Sequence, residues 1–190
     1  MRKLLLTVSF LLALPLVALA QDAPKVEVFG GYSYLNPHNG DDLNGWNASV
    51  TGNVNKWFGI KSDFSGYYES YTTVGGAKVR VSDHFFLAGG QFTYRGNKRV
   101  QPFAHLLAGT VLLHSKATSV CAPTVASCLS LVKISDTGFA LVAGGGLDLS
   151  IAKHLALRLI QADYVYVRNN GFNDHAFRLS TGLVGRIGEQ

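Results

Sequence analysis

Segments of about ten residues in which apolar and polar side chains alternate recur along the chain, with turn residues between them. The clearest covers residues 46–55. Trp46, Ala48, Val50, Gly52 and Val54 fall on one face, and Asn47, Ser49, Thr51, Asn53 and Asn55 on the other. Successive side chains of a strand point to opposite sides, so this segment has one apolar and one polar face. The pattern repeats. Residues 25–35 set Val26, Val28, Tyr32 and Tyr34 against Glu27 and Ser33. Residues 58–69 set Phe58, Ile60, Phe64 and Tyr68 against Lys61, Asp63 and Ser65. Residues 84–95 set Phe86, Ala88, Phe92 and Tyr94 against Gln91, Thr93 and Arg95.

Four more strands follow. Residues 100–114 are apolar on both faces and leave their register open. Residues 138–150 place Phe139, Leu141, Leu147 and Leu149 opposite Asp148 and Ser150. Residues 155–168 begin with Leu155, Leu157 and Leu159 opposite Arg158, then change phase. A bulge near Leu159 and Ile160 keeps Arg158, Gln161 and Asp163 on one face. Residues 176–188 set Phe177, Leu179, Leu183 and Ile187 against Arg178, Ser180 and Arg186. Residues 78–82 also alternate and extend the fourth strand. The connections at 55–57, 96–99 and 152–154 are short, and those at 36–44, 70–83, 115–137 and 169–175 longer. Eight strands with short turns on one side and longer loops on the other predict an all-β, antiparallel, up-and-down transmembrane barrel.

Aromatic rings gather near strand ends: Tyr32, Tyr34, Trp46, Trp57, Phe58, Tyr68, Phe85, Phe86, Tyr94, Tyr164, Tyr166 and Phe177. Rings with a polar handle favour the boundary between membrane and water, so these predict aromatic girdles. Composition agrees. Of the 190 residues, 47% are hydrophobic and only 15% charged, against about 25% charged in soluble domains. After residue 20 no stretch reaches the roughly 18 apolar residues of a membrane helix.

The first 20 residues read as a secretory signal. Arg2 and Lys3 precede an apolar run broken by Pro15, and Ala18-Leu19-Ala20 is a small-x-small cleavage site. The barrel domain then covers 21–190. Loss of Arg2 and Lys3 leaves 15 Lys and Arg against 12 Asp and Glu, too mild and dispersed a surplus for nucleic acid. Export puts Cys121 and Cys128 in an oxidising compartment, where a disulfide closing a small loop is expected.

Five motifs carry a resemblance. They are Val26-Glu27-Val28-Phe29-Gly30-Gly31-Tyr32-Ser33-Tyr34, Phe103-Ala104-His105, Gly144-Gly145-Gly146-Leu147-Asp148, Arg158-Leu159-Ile160-Gln161-Ala162-Asp163-Tyr164 and Phe177-Arg178-Leu179-Ser180-Thr181-Gly182. In this order the chain resembles the small bacterial outer-membrane β-barrels related to the OmpA transmembrane domain. The resemblance implies a place in the bacterial outer membrane, contact with its lipid, and assembly by the barrel insertion machinery. Such barrels commonly end on an aromatic residue; this chain ends Arg186-Ile187-Gly188-Glu189-Gln190.

No motif for catalysis, a cofactor or a metal stands out. The six histidines are scattered over different elements. His114 and Ser115 are adjacent, but neighbours on a strand face opposite ways and do not make a nucleophile–base pair unaided. Gly144-Gly145-Gly146 and Gly89-Gly90 lie inside strand patterns and lack the Lys and helix of a phosphate loop. Strand parity instead sends Glu27, Lys61, Asp63, Asp148, Arg158, Asp163, Arg178 and Arg186 to the lumen. The expectation is a structural or surface-interaction protein without catalysis, whose loop partner the sequence does not name. A narrow pore for ions or small polar solutes is the alternative. A soluble calyx for a lipophilic ligand and a lipid-modifying enzyme stand behind it.

Overall fold

The computed structural model describes residues 23–38, 40–72, 78–118, 132–169 and 172–188. Eight strands follow in chain order: β1 Val26–Pro37, β2 Leu43–Asn53, β3 Phe58–Thr72, β4 Lys78–Thr93, β5 Val100–Thr118, β6 Val132–Ala152, β7 Leu155–Asn169 and β8 Phe172–Ile187. Each pairs antiparallel with the next, and β8 pairs back to β1 from Val26↔Ile187 to Pro37↔Ala176, so the sheet closes with no free edge. In a membrane, closure is what satisfies every strand's backbone groups.

The outer wall follows from parity. Val28, Val50, Ile60, Leu106, Leu141, Leu179 and Leu183 all point outward and are exposed. Two aromatic belts bound this apolar wall. Near the short turns, Trp57 packs on Tyr94 and Phe58 on Phe92, with ring centroids 6.2 and 5.0 Å apart. Near the long loops, Tyr68 packs on His84 and Tyr164 on Phe177, both at 5.6 Å. On β3 the wall runs from Phe58 to Tyr68. At about 3.3 Å per residue and a tilt of about 40°, that spans roughly 25 Å, the height of an outer-membrane apolar band.

The long strands outrun the membrane on the loop side, and residues 78–82 do extend β4. One connection departs from expectation. Asn169 pairs directly with Phe172, so β7 and β8 are joined by a tight hairpin instead of a loop over 169–175. Continued pairing of Asn173, Asp174 and His175 with β7 consumes the residues that read as loop.

The interior is also divided in a way the sequence did not suggest. Towards the long-loop end it is apolar: Leu35, Leu43, Tyr67, Phe85, Leu87, Leu107, Val111, Val142 and Val165 form one buried cluster. Phe85, expected in a girdle, is among them and packs edge-on to Tyr67 at 5.9 Å. Its odd position on β4 shares the inward face with Leu87, Gln91 and Thr93. An eight-stranded barrel is just wide enough for side chains to fill, so where no water column runs, apolar filling is as stable inside as out. Towards the short-turn end the interior is polar and charged. Cys121 and Cys128 lie outside the described residues.

Candidate functional site

The charged half of the lumen is built largely from cross-strand neighbours. Register places Asp148 opposite Arg158, Asp163 opposite Arg178, and Glu27 opposite Arg186. Directly opposed residues of opposite charge are the favourable pairing in an antiparallel sheet. A register shift between Arg158 and Gln161 on β7 keeps Arg158, Gln161 and Asp163 all inward. Lys61 and Asp63 share the inward face of β3 two residues apart. Glu27, Lys61, Asp63, Asp148, Arg158, Asp163, Arg178 and Arg186 are all buried.

Five of the buried side chains close a ring across the lumen. Arg178 Nε donates to Asp163 Oδ2 at 2.7 Å, and its Nη1 donates to Asp63 Oδ1 at 2.9 Å. Asp63 Oδ2 lies 3.6 Å from Lys61 Nζ. Lys61 Nζ lies 3.3 Å from His105 Nδ1, and His105 Nε2 lies 2.9 Å from Asp163 Oδ1. One tautomer satisfies both histidine contacts: Nε2–H donates to the carboxylate, and Nδ1 accepts from the ammonium. The ring joins β8, β3, β5 and β7, so it ties opposite walls together.

Arg158 adds a second storey. Its Nε and Nη2 donate to the two oxygens of Asp148 at 2.8 and 3.0 Å, a bidentate pair. Its Nη1 donates to Gln161 Oε1 at 2.7 Å, and Gln161 Nε2 donates to Asp163 Oδ2 at 2.7 Å. Its guanidinium carbon lies 4.4 Å from the Phe29 ring centre and 4.1 Å from that of Phe103. Lys61, Arg158 and Arg178 balance Asp63, Asp148 and Asp163, so this block is electrically neutral when His105 is. Buried charges persist only when paired and hydrogen-bonded, and these are.

Nearer the periplasm, Glu27 stands between two arginines. Its Oε1 lies 3.0 Å from Arg95 Nη2 and 3.4 Å from Arg186 Nε. Arg186 also donates to Ser150 Oγ and Gln101 Oε1, at 2.7 and 2.8 Å. Beyond the eight charged positions the network takes in His105, Gln161, Arg95, Gln101, Asn47, Ser65 and Ser150. Arg95 was legible, since it shares parity with Gln91 and Thr93. Gln101 was not, because its strand is apolar on both faces.

A cavity opens at each mouth. The periplasmic one is lined by Arg95, Gln101, Lys153 and Arg186 among others, the extracellular one by Leu35, Phe85, Leu113 and Val165 among others. They share no lining residue, and neither touches Lys61, Asp63, Asp163 or Arg178. Among the described residues no group of three or more His, Cys, Asp or Glu is placed to hold a metal ion.

Residues 5–184 match the family model described as outer membrane protein beta-barrel domain. No curated protein sequence matches the chain. The fold is similar to that of Ail, the attachment invasion locus protein of Yersinia pestis, with 16% identity and a TM-score of 0.57 over 86% of this chain and 99% of that one. It is also similar to the outer membrane protein OprG from Pseudomonas aeruginosa, with 11% identity and a TM-score of 0.52 over 88% of this chain and 98% of that one. Neisserial surface protein A gives 12% identity and a TM-score of 0.50 over 85% and 96%. At these identities the likeness is one of fold.

Proposed function

The chain belongs to the outer membrane protein beta-barrel domain family, a family of the bacterial outer membrane, and from that premise we propose that its barrel is a closed, non-catalytic anchor. The barrel holds the extracellular connections at the cell surface, where they meet their partner. One observation carries this reading: the ring of Arg178, Asp63, Lys61, His105 and Asp163 crosses the lumen with every member buried. A pore needs a continuous water path with solvated charges. Here the charges are spent on one another, and the two mouth cavities have no lining residue in common.

Proteoliposomes loaded with a dextran too large to cross, then moved into a small sugar, test the reading. A closed anchor leaves them swelling no faster than protein-free vesicles in an isotonic solution of that sugar, whereas faster swelling means a pore. In the same proposal residues 1–20 direct export, the apolar wall contacts bilayer lipid, and the barrel insertion machinery assembles the chain. Amino-terminal sequencing of the exported protein then starts at Gln21; a start at Met1 contradicts cleavage.

A further inference from the structure

The periplasmic mouth carries more buried positive charge than its own carboxylate can balance. Its cavity measures about 690 Å³, within the range of small-molecule sites rather than of a single ion. The guanidinium groups of Arg95 and Arg186 line it, and the Glu27 carboxylate, which does not, lies against both. The side chains of Arg95 and Arg186 are each 8% exposed, and that of Glu27 is 5% exposed. Glu27 touches both arginines and neutralises one charge, so one remains among the described residues. Asp148, the nearest carboxylate by register, is already bound to Arg158 in bidentate fashion.

The donors point the same way. Arg95 Nε, Arg95 Nη2 and Arg186 Nε are buried and make no hydrogen bond among the described residues. Two of these three lie within ion-pair distance of Glu27, but neither N–H is aligned on its oxygens. A buried donor left without an acceptor costs about 1–3 kcal/mol, more when charged, so the floor favours an incoming acceptor. Charge at the rim is one-signed as well. Among the described turn residues at this end, Lys56, Arg95, Lys98 and Arg99 are cations, and the described turns hold no Asp or Glu. Such a rim focuses anions towards the mouth.

We infer that the periplasmic mouth binds an oxyanion-bearing molecule of the periplasm, a carboxylate or phosphate compound, with Arg95 and Arg186 holding the anion at the floor and Lys98 drawing it in at the rim. Guanidinium groups match planar carboxylates and phosphates with paired N–H donors, which fits this chemistry better than a halide or a neutral sugar. Arg95, Gln101 and Arg186, which line the cavity, face the lumen and not the lipid wall, so its ligand comes from the aqueous periplasm and not from the surrounding lipid headgroups.

Calorimetry on the full chain in phosphatidylcholine nanodiscs tests this, with triglutamate and inorganic phosphate as separate probes. Saturable binding of at least one probe, weakening as salt rises, is expected. Lys98→Glu lies in an exposed turn and leaves the barrel folded, as its heat-dependent gel migration will show. It and Arg95→Gln should each weaken binding by about tenfold. Absence of saturable heat with both probes overturns the inference, and so does unchanged affinity in Lys98→Glu. Binding that needs phosphatidylglycerol in the nanodisc also overturns it, because the cations then serve the lipid.

Discussion

Arg178 Nη1 donates to Asp63 Oδ1 across 2.9 Å, although the two residues stand on β8 and β3, three places apart around an eight-stranded barrel. No backbone ladder joins these strands. A side-chain contact between them therefore crosses the lumen, and it turns a ring of strands into a cross-braced one.

Replacing Arg178 with Ala removes the brace and leaves Asp63 and Asp163 facing each other without their shared cation. Loss of one partner of a buried pair costs about 3–5 kcal/mol. Thermal unfolding in detergent should show a markedly lower midpoint for Arg178→Ala. An unchanged midpoint means that water already solvates both carboxylates.

The outer wall gives a depth-dependent test. Val50 and Leu106 face lipid between the aromatic belts, and Arg at either position should destabilise the barrel by about 2–4 kcal/mol. Ser82 faces outward opposite Tyr68, at the extracellular edge of the wall, where the same substitution should cost only about 0–1 kcal/mol. Folding equilibria in lipid vesicles measure all three. Equal costs at Ser82 and Val50 would place the membrane elsewhere on the barrel.

Gly144 is a close-approach position beside the network. A Cβ there would stand 2.1 Å from Asp163 Oδ1 and 2.4 Å from the Ala162 carbonyl oxygen. Gly144→Ala should therefore cost about 1–3 kcal/mol through overpacking and displace Asp163 from Arg178. Gly52 has no atom within 4 Å of such a Cβ, and Gly52→Ala should be nearly neutral. Paired denaturation curves for the two variants decide the point.

Outside the membrane, Asp42 titrates low. The Tyr34 hydroxyl and then the Asn36 amide bind its carboxylate and hold its pKa below the ordinary value. The folded pKa is depressed, so this contact contributes above the ordinary carboxylate pKa of about 3.9 and fades as pH falls through the lower folded value. In Tyr34→Phe the Asp42 carboxyl should titrate closer to the ordinary range. Carbon-detected NMR titration reads it directly, and an unmoved Asp42 would refute the contact.

Much of the barrel was legible because two periodicities coincide in it. The strict alternation at residues 46–55 fixes a strand and names its lipid face. Lumen charges at Glu27, Asp148, Asp163, Arg178 and Arg186 follow from the same parity, and hairpin register turns them into pairs. The phase change after Arg158 was legible as a bulge because three polar residues demanded one face. Parity sets Phe85 on the face of Gln91 and Thr93, but a ring near a strand end reads as part of a girdle, and that reading hid its place inside. It could not show the β7–β8 hairpin either, because Asn169 to His175 reads as turn and pairs only through tertiary register. Links between strands that are not neighbours, such as Arg178 to Asp63 and Lys61 to His105, have no signature in a single sequence.

The most direct test of a closed lumen is single-channel recording of the full chain in a planar bilayer. The buried ring should hold the wild-type conductance at the level of the bare lipid over the working voltage range. Stable, reproducible open-channel steps from a folded, heat-modifiable barrel would contradict it and make the lumen a conduction path.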